Sequence, residues 1–367
     1  MKTGLTLGWL LGLAAGGVAL AQPPPTPSGG PATPDHRRTD WFPAPTPTGP
    51  PGIIQTPADW EQRRAAILRG FQKVTGPLPP REPLPDPEIQ ITETVETDAY
   101  TRQTLSFVSE PGDRCTAYLY VPKNIPAGER RPGIVALHPT GDRGKGIVDG
   151  QSERPHRAYA KELAERGNVV IAPDYVSFGG LKDYDFAKDR HQSGTIKGIW
   201  NHLRAVDLLV ARPDVDAQRI AAIGHSLGGH NAIFLGVFDP RVKVIVSSCG
   251  WTPFHDYYGG KLKGWTSDRY MPAIRDEYHE NPDEVPFDLT ELVAALAPRA
   301  FYSNSPLRDA NFDYRGIEKA APEARRIYQL LGVPDKLRIT YPDCEHDFPD
   351  AVREEAYEFI DKVWRAE

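Results

Sequence analysis

The chain has 367 residues, 40% of them hydrophobic and 25% charged, with a formal net charge of −6. That length exceeds one average domain but suits a single α/β core carrying additions. The acidic balance, with no basic stripe along the sequence, argues against nucleic acid as a main partner.

Residues 1–21 read as an export signal. Lys2 supplies a positive start, Leu5 to Leu20 is apolar and dotted with glycine, and Ala19-Leu20-Ala21 fits a small-x-small cleavage site. The rival, an uncleaved membrane anchor, is disfavoured by the short span and by the prolines that follow. A secreted or periplasmic protein without stable membrane insertion is therefore expected. Residues 22–57 are rich in Pro, Thr and Gly and are expected to form an extended, mobile tether. From Thr56 the pattern changes. Trp60, Arg64, Ile67, Leu68 and Phe71 recur at helical spacing and Gly76-Pro77 closes the helix, so 58–87 is expected to be a brace helix and its linker.

From residue 88 to the end the chain reads as one catalytic domain. Ile89–Thr97, Thr104–Ser109 and Cys115–Val121 alternate as leading antiparallel strands. Apolar strands at 134–138, 169–173, 219–224, 242–248, 300–304 and 337–341 then alternate with amphipathic helices. This rhythm predicts an α/β fold with a mainly parallel twisted sheet covered by helices on both faces. Residues 251–298 interrupt it. They hold Trp251, Phe254, Tyr257, Tyr258, Trp265, Tyr270 and Tyr278 among Gly, Pro and charges, and are expected to cap the site. Cys115, Cys249 and Cys344 are the three cysteines. Small buried residues are the favoured reading, although an exported protein can pair two of them.

The chemistry centres on Gly224-His225-Ser226-Leu227-Gly228, a G-x-S-x-G pattern between a buried strand and a small, apolar helix. Glycines on either side leave room for a sharp turn that exposes the Ser226 hydroxyl. A serine hydroxyl is a poor nucleophile at neutral pH. It needs a base, and the base needs an orienting carboxylate. In a sheet of this kind they follow in the order Ser, acid, His, each just past a strand end. Asp309 follows the strand at 300–304 and is preferred to Asp313, which lies further along the loop. His346 follows the last strand. The backbone N–H groups of Leu227 and Thr140 are the expected oxyanion donors, since Pro139 has none. Trp251, Trp265 and His225 are candidate substrate contacts. No metal-ligand spacing or nucleotide-binding loop is evident, so no cofactor is expected.

These residues resemble the α/β-hydrolase superfamily. The match runs from about residue 88 to the C-terminus, carried by Gly224–Gly228, Asp309, His346 and His138-Pro139. Within the superfamily the chain is similar to the dienelactone-hydrolase and acetyl-xylan-esterase-like group. Supporting pieces are Trp60-Glu-Gln-Arg-Arg64, Arg204-Ala-Val-Asp207 and Val215-Asp-Ala-Gln-Arg-Ile220. Ser226 stands where dienelactone hydrolases carry cysteine, and Leu227 where acetyl-xylan esterases usually carry glutamine. The resemblance implies serine ester hydrolysis through an acyl-enzyme. Export and an aromatic insertion point to a carbohydrate ester, an acetylated polysaccharide fragment for example. A peptidase of the prolyl-oligopeptidase type shares this core but usually carries a large gating domain, and residues 22–133 are too few for a propeller. A non-catalytic binding protein on the same scaffold is the other alternative.

Overall fold

Nine strands form one sheet in the order β11-β10-β9-β8-β6-β7-β5-β4-β3 in the computed structural model, which describes Met1, residues 43–44 and 52–366 except Glu82 and Asn124. The expected export signal and most of the tether lie outside the described residues. Two short pieces of the stretch read as a tether are strands: β1 (Pro43–Ala44) pairs antiparallel with β2 (Gly52–Ile53). The described residues from Pro43 onward form one unit.

Helix α1 (Pro57–Thr75) starts where the sequence indicates. The Thr56 hydroxyl accepts from the Asp59 N–H at 3.1 Å, and the Asp59 carboxylate accepts from the Thr56 N–H at 2.9 Å. This reciprocal cap satisfies N–H groups that a helix start leaves open. Gly76 ends the helix with φ +95°. The strands β3 (Gln90–Glu96), β4 (Tyr100–Glu110) and β5 (Asp113–Pro122) are the antiparallel leading set. β6 (Arg131–Leu137), β7 (Val169–Pro173), β8 (Val215–His225), β9 (Val242–Ser248), β10 (Ala300–Asn304) and β11 (Leu337–Thr340) run parallel to one another. β5 joins the two sets by pairing antiparallel with β7.

The helices between them are α2 (Tyr159–Glu165), α3 (Gly194–Val210), α4 (Leu227–Phe238), α5 (Ala273–Asp276), α6 (Leu289–Ala295), α7 (Tyr314–Leu330) and α8 (Asp350–Ala366). Alternation along each strand divides the core between two faces. Val135, Leu137, Ile220, Ala222 and Ile245 pack with α1, α3, α4, α6 and α7. Ile134, Ala136, Ala221, Ile223, Val244 and Val246 pack with α2 and α8. Both faces are covered, which is why the parallel strands read as nearly unbroken apolar runs.

The insertion at 251–298 differs from a simple cap. Its last part is α6, in which all seven residues are buried and which shares a hydrophobic core with α1, α4 and α7. Phe254, Leu262, Met271, Ile274, Val285 and Phe287 are buried as well. Backbone bonds stitch the middle of the insertion to the start of α3: Gly194 N–H donates to Asp268 O at 2.8 Å and Thr195 N–H to Tyr270 O at 3.2 Å. The Tyr175 hydroxyl donates to Arg269 O at 2.7 Å. An isolated antiparallel bridge joins Tyr257 to Phe312.

Candidate active site

The parallel strands deliver their loops to one edge of the sheet, the carboxyl edge where open α/β sheets bind ligands. β8 ends at His225 and Ser226 caps α4 with φ +55° and ψ −117°. A serine in that region costs roughly 1–3 kcal/mol, which the surroundings must offset. The glycines explain how the turn fits. A Cβ at Gly224 would stand 2.1 Å from Gly228 O, and one at Gly228 would stand 1.9 Å from Leu137 O. The turn is therefore pressed against the end of β6, and no side chain fits between them.

The loop after β11 brings His346 to this turn. The Ser226 hydroxyl donates to His346 Nε2 at 2.8 Å, and His346 Nδ1–H donates to Asp309 Oδ2 at 2.9 Å. The other carboxylate oxygen of Asp309 accepts from the N–H groups of Asn311 at 2.8 Å and Phe312 at 3.1 Å. The Asp309 side chain is fully buried. Asp313 lies elsewhere: its carboxylate caps α7, accepting from the Arg315 N–H at 2.9 Å and from the Arg315 guanidinium.

The two expected oxyanion residues lie on different elements. Leu227 opens α4, and the first N–H groups of a helix have no partner within it. Thr140 is exposed on the loop after β6, with its hydroxyl 3.3 Å from the Tyr270 hydroxyl. His138 shapes that loop. Its Nε2 accepts from the Tyr175 N–H at 2.9 Å, so its Nδ1–H donates to Pro139 O at 2.7 Å. Burial lowers its pKa and keeps it neutral.

The candidate substrate contacts fare differently. Trp251 is 1% exposed, donates its Nε1–H to Ser303 Oγ at 2.8 Å and packs on Phe301. It belongs to the core, so the structure does not bring it to the serine. His225 is fully buried beneath His346, with ring centroids 5.0 Å apart and Nδ1 3.0 Å from Ser248 Oγ. Burial drives its pKa well below the ordinary range, and its ring backs that of His346. Trp265 is buried among Tyr257, His230 and Phe312. Phe312 in turn stacks on His346 at 6.0 Å with an interplanar angle of 17°. Trp265 thus belongs to an aromatic wall that reaches His346.

Other residues around the site were not singled out from sequence. Asn304, the last residue of β10, donates to Ser248 Oγ at 2.8 Å and to Asp347 O at 2.9 Å. Arg157 donates to His346 O at 3.2 Å and to the Asp347 carboxylate at 3.1 Å. Burial alone would raise the Asp347 pKa, but the Phe348 N–H, His156 and Arg157 hold it low. A usable clue existed for Asn304 and Ser248: polar residues ending strands that feed the site. Arg157 offered none, being one arginine among many.

Cys115, Cys249 and Cys344 are all free thiols. Cys249 Sγ and donor atoms of Asp309 and His346 lie within 4.8 Å of one another. Burial, then the neighbouring Asp309, pushes the Cys249 pKa well above the ordinary thiol range. The Asp309 carboxylate and the His346 imidazole already bond each other.

A strained serine between β8 and α4, on a mainly parallel sheet covered on both faces, gives the chain the α/β-hydrolase fold. It is an enzyme of the serine-hydrolase class, grouped by sequence and fold with carboxylic-ester hydrolases. Residues 180–332 match the family described as "Glucuronyl esterase, fungi". YtaP of Bacillus subtilis (strain 168) is 26% identical over 314 residues, spanning 82% of this chain and 99% of that protein. The 4-O-methyl-glucuronoyl methylesterase 1 of Wolfiporia cocos is 24% identical over 346 residues, spanning 84% of this chain and 77% of that one. Among solved structures, a glucuronoyl esterase from Solibacter usitatus superposes with a TM-score of 0.70 at 20% identity, covering 88% of this chain and 96% of that one.

Proposed function

We propose that the protein is an exported serine hydrolase of carbohydrate esters, working through Ser226, His346 and Asp309. The observation that carries this reading is the unbroken path from the Ser226 hydroxyl through His346 to Asp309, at 2.8 and 2.9 Å. In the proposed reaction Ser226 Oγ attacks the ester carbonyl as its proton passes to His346 Nε2. Asp309 keeps Nδ1 protonated and stabilises the imidazolium that forms. The N–H groups of Leu227 and Thr140 hold the oxyanion. Collapse expels the alcohol, protonated by His346, and leaves an acyl-serine. A water molecule that gives its proton to His346 then releases the acid and restores the serine.

The carbohydrate part of the reading draws on relatives named as glucuronoyl methylesterases and on neighbours named as glucuronoyl esterases. The export part draws on the sequence of residues 1–21. Among the described residues, no helix is long and apolar enough to cross a membrane.

The test uses an active-site serine phosphonate together with p-nitrophenyl acetate, acetylated xylan, a glucuronate ester and a Pro-arylamide. Labelling at Ser226 and turnover of at least one sugar ester are expected, with both lost in Ser226→Ala. Turnover of aryl ester alone would remove the carbohydrate assignment. Turnover of arylamide alone would make the protein a peptidase, and no labelling with no turnover would favour a binding scaffold.

A further inference from the structure

A cavity of about 550 Å³ lies beside the acid loop, where Asp309 forms part of its lining. This size falls in the range of small-ligand pockets. Its lining does not include the rings of the aromatic wall around Trp265, although Tyr257 of that wall packs on Tyr258. One side comes from the insertion, through Asp256, Tyr258 and Gly259. The other comes from the stretch that follows β10, through Leu307, Asp313 and Arg315. The Tyr257–Phe312 bridge fixes these two sides against each other.

Two features single this cavity out. Tyr258 and Leu307 are 49% and 39% exposed, and they are two of the few large apolar side chains left in solvent among the described residues. Both face this one space. Tyr258 also sits at φ +45°, a region where a bulky residue is an outlier and costs about 1–2 kcal/mol. A glycine there would relieve the strain, as Gly259 and Gly260 do at the next two positions with φ +66° and +85°. A tyrosine held in that conformation points to work for its side chain. Its hydroxyl bonds Asn311 Oδ1 and its ring meets Tyr257 edge-on. The ring is thereby fixed in place while much of its surface stays open.

An exposed aromatic face rimmed by carboxylates suits a sugar ring. The C–H face of a pyranose packs on the aromatic surface, and its hydroxyls donate to carboxylate oxygens. Charge narrows the choice. Asp256, Asp309 and Asp313 are on the lining; Arg315 pairs with Asp313, Lys319 reaches Asp256 at 3.9 Å and the buried Asp309 bonds His346, so carboxylates outnumber the fixed cations. A uronate carboxylate would meet repulsion, whereas a neutral sugar would not.

We propose that this cavity is a subsite for a neutral pyranose unit of the glycan that carries the ester, stacked on Tyr258 with hydroxyls toward Asp256 and Asp313. The proposal rests on the carbohydrate-ester reading above and adds a place and a sugar class to it.

The experiment uses the full chain and three variants: Tyr258→Ala, Tyr258→Phe and Leu307→Ser. Calorimetry measures binding of ester-free xylohexaose and of a galacturonate hexamer. Kinetics give the ratio of kcat/KM for an esterified xylo-oligosaccharide to that for p-nitrophenyl acetate. Xylohexaose is expected to bind, about tenfold more weakly in Tyr258→Ala and near parent strength in Tyr258→Phe, with the kinetic ratio falling in parallel. If Tyr258→Ala melts early, Leu307→Ser carries the same comparison. The proposal is overturned by three results: absence of xylohexaose binding, binding unchanged in both truncated variants, or tighter binding of the galacturonate hexamer that Tyr258→Ala weakens. A parent enzyme that cleaves aryl esters but no sugar ester defeats the functional reading alone, and the xylohexaose titration still decides the subsite.

Discussion

Asp309 and Asp313 sit four residues apart and make quite different bonds. Asp309 is buried, takes two backbone N–H groups on one oxygen and His346 on the other. Asp313 stops the loop and starts α7. Replacing Asp309 with Asn is expected to reduce kcat by about 10³–10⁴-fold, because the amide favours the wrong imidazole tautomer; steady-state ester hydrolysis measures it. Replacing Asp313 with Ala is expected to cost about 1 kcal/mol through the lost cap, read as a lower denaturant midpoint. Sequence order narrowed the acid to this loop, since β10 and its loop were legible. The choice between the two rested only on distance from the strand end. The loop's own N–H groups, which turn Asp309 inward, are a product of tertiary folding. Trp251 shows the opposite failure. A tryptophan after a strand in an aromatic insertion looked like a substrate contact, and its indole bonds Ser303 inside the sheet instead.

At the scale of elements, α1 was readable almost to the residue. Thr56, Pro57 and Asp59 carry a start signal, Gly76-Pro77 a stop, and the apolar stripe between them gives one face. That face holds Trp60, Ile67 and Phe71, and the Phe71 ring lies 4.8 Å from both Phe234 and Phe287. The brace therefore rests on α4, the helix that begins at the Ser226 turn. Thr56→Ala is expected to destabilise the protein by about 1 kcal/mol through the lost capping box. A chemical-denaturation midpoint checks it, with thermal melting as a second measure. Helix α6 escaped sequence reading for a physical reason. It is buried on every side, so it has no polar face and no amphipathic period to detect. It hid within a segment rich in Gly, Pro and aromatic residues.

The molecule as a whole carries an acid liability in its core. Burial pushes the pKa values of His202 and His230 down to about 3, and lowers those of His138 and His225 as well. An unfolded histidine titrates near 6.5, so the unfolded chain takes up protons that the folded one refuses. Stability is therefore lost as pH falls below about 6.5, and the loss continues toward pH 3. Glu110 acts in the same direction. Burial would raise its pKa, but His191 and Lys197 hold it at about 2. Its contribution is complete above about 4.5 and disappears as pH falls toward 2. Stability is expected to drop steadily between pH 7 and pH 4.5, with His202 and His230 each contributing roughly 1 kcal/mol of the loss by pH 5.5 and His138 and His225 acting in the same direction, and the melting temperature falls with it. Scanning calorimetry across that range checks it; a flat profile would mean that these imidazoles titrate normally. The bonds that tie the insertion to α3, and the Tyr257–Phe312 bridge, have a different consequence. The wall facing His346 is built from the same packing that makes the fold. The shape of that wall is therefore set by the packing of the core, and a change that loosens the core would be felt at His346.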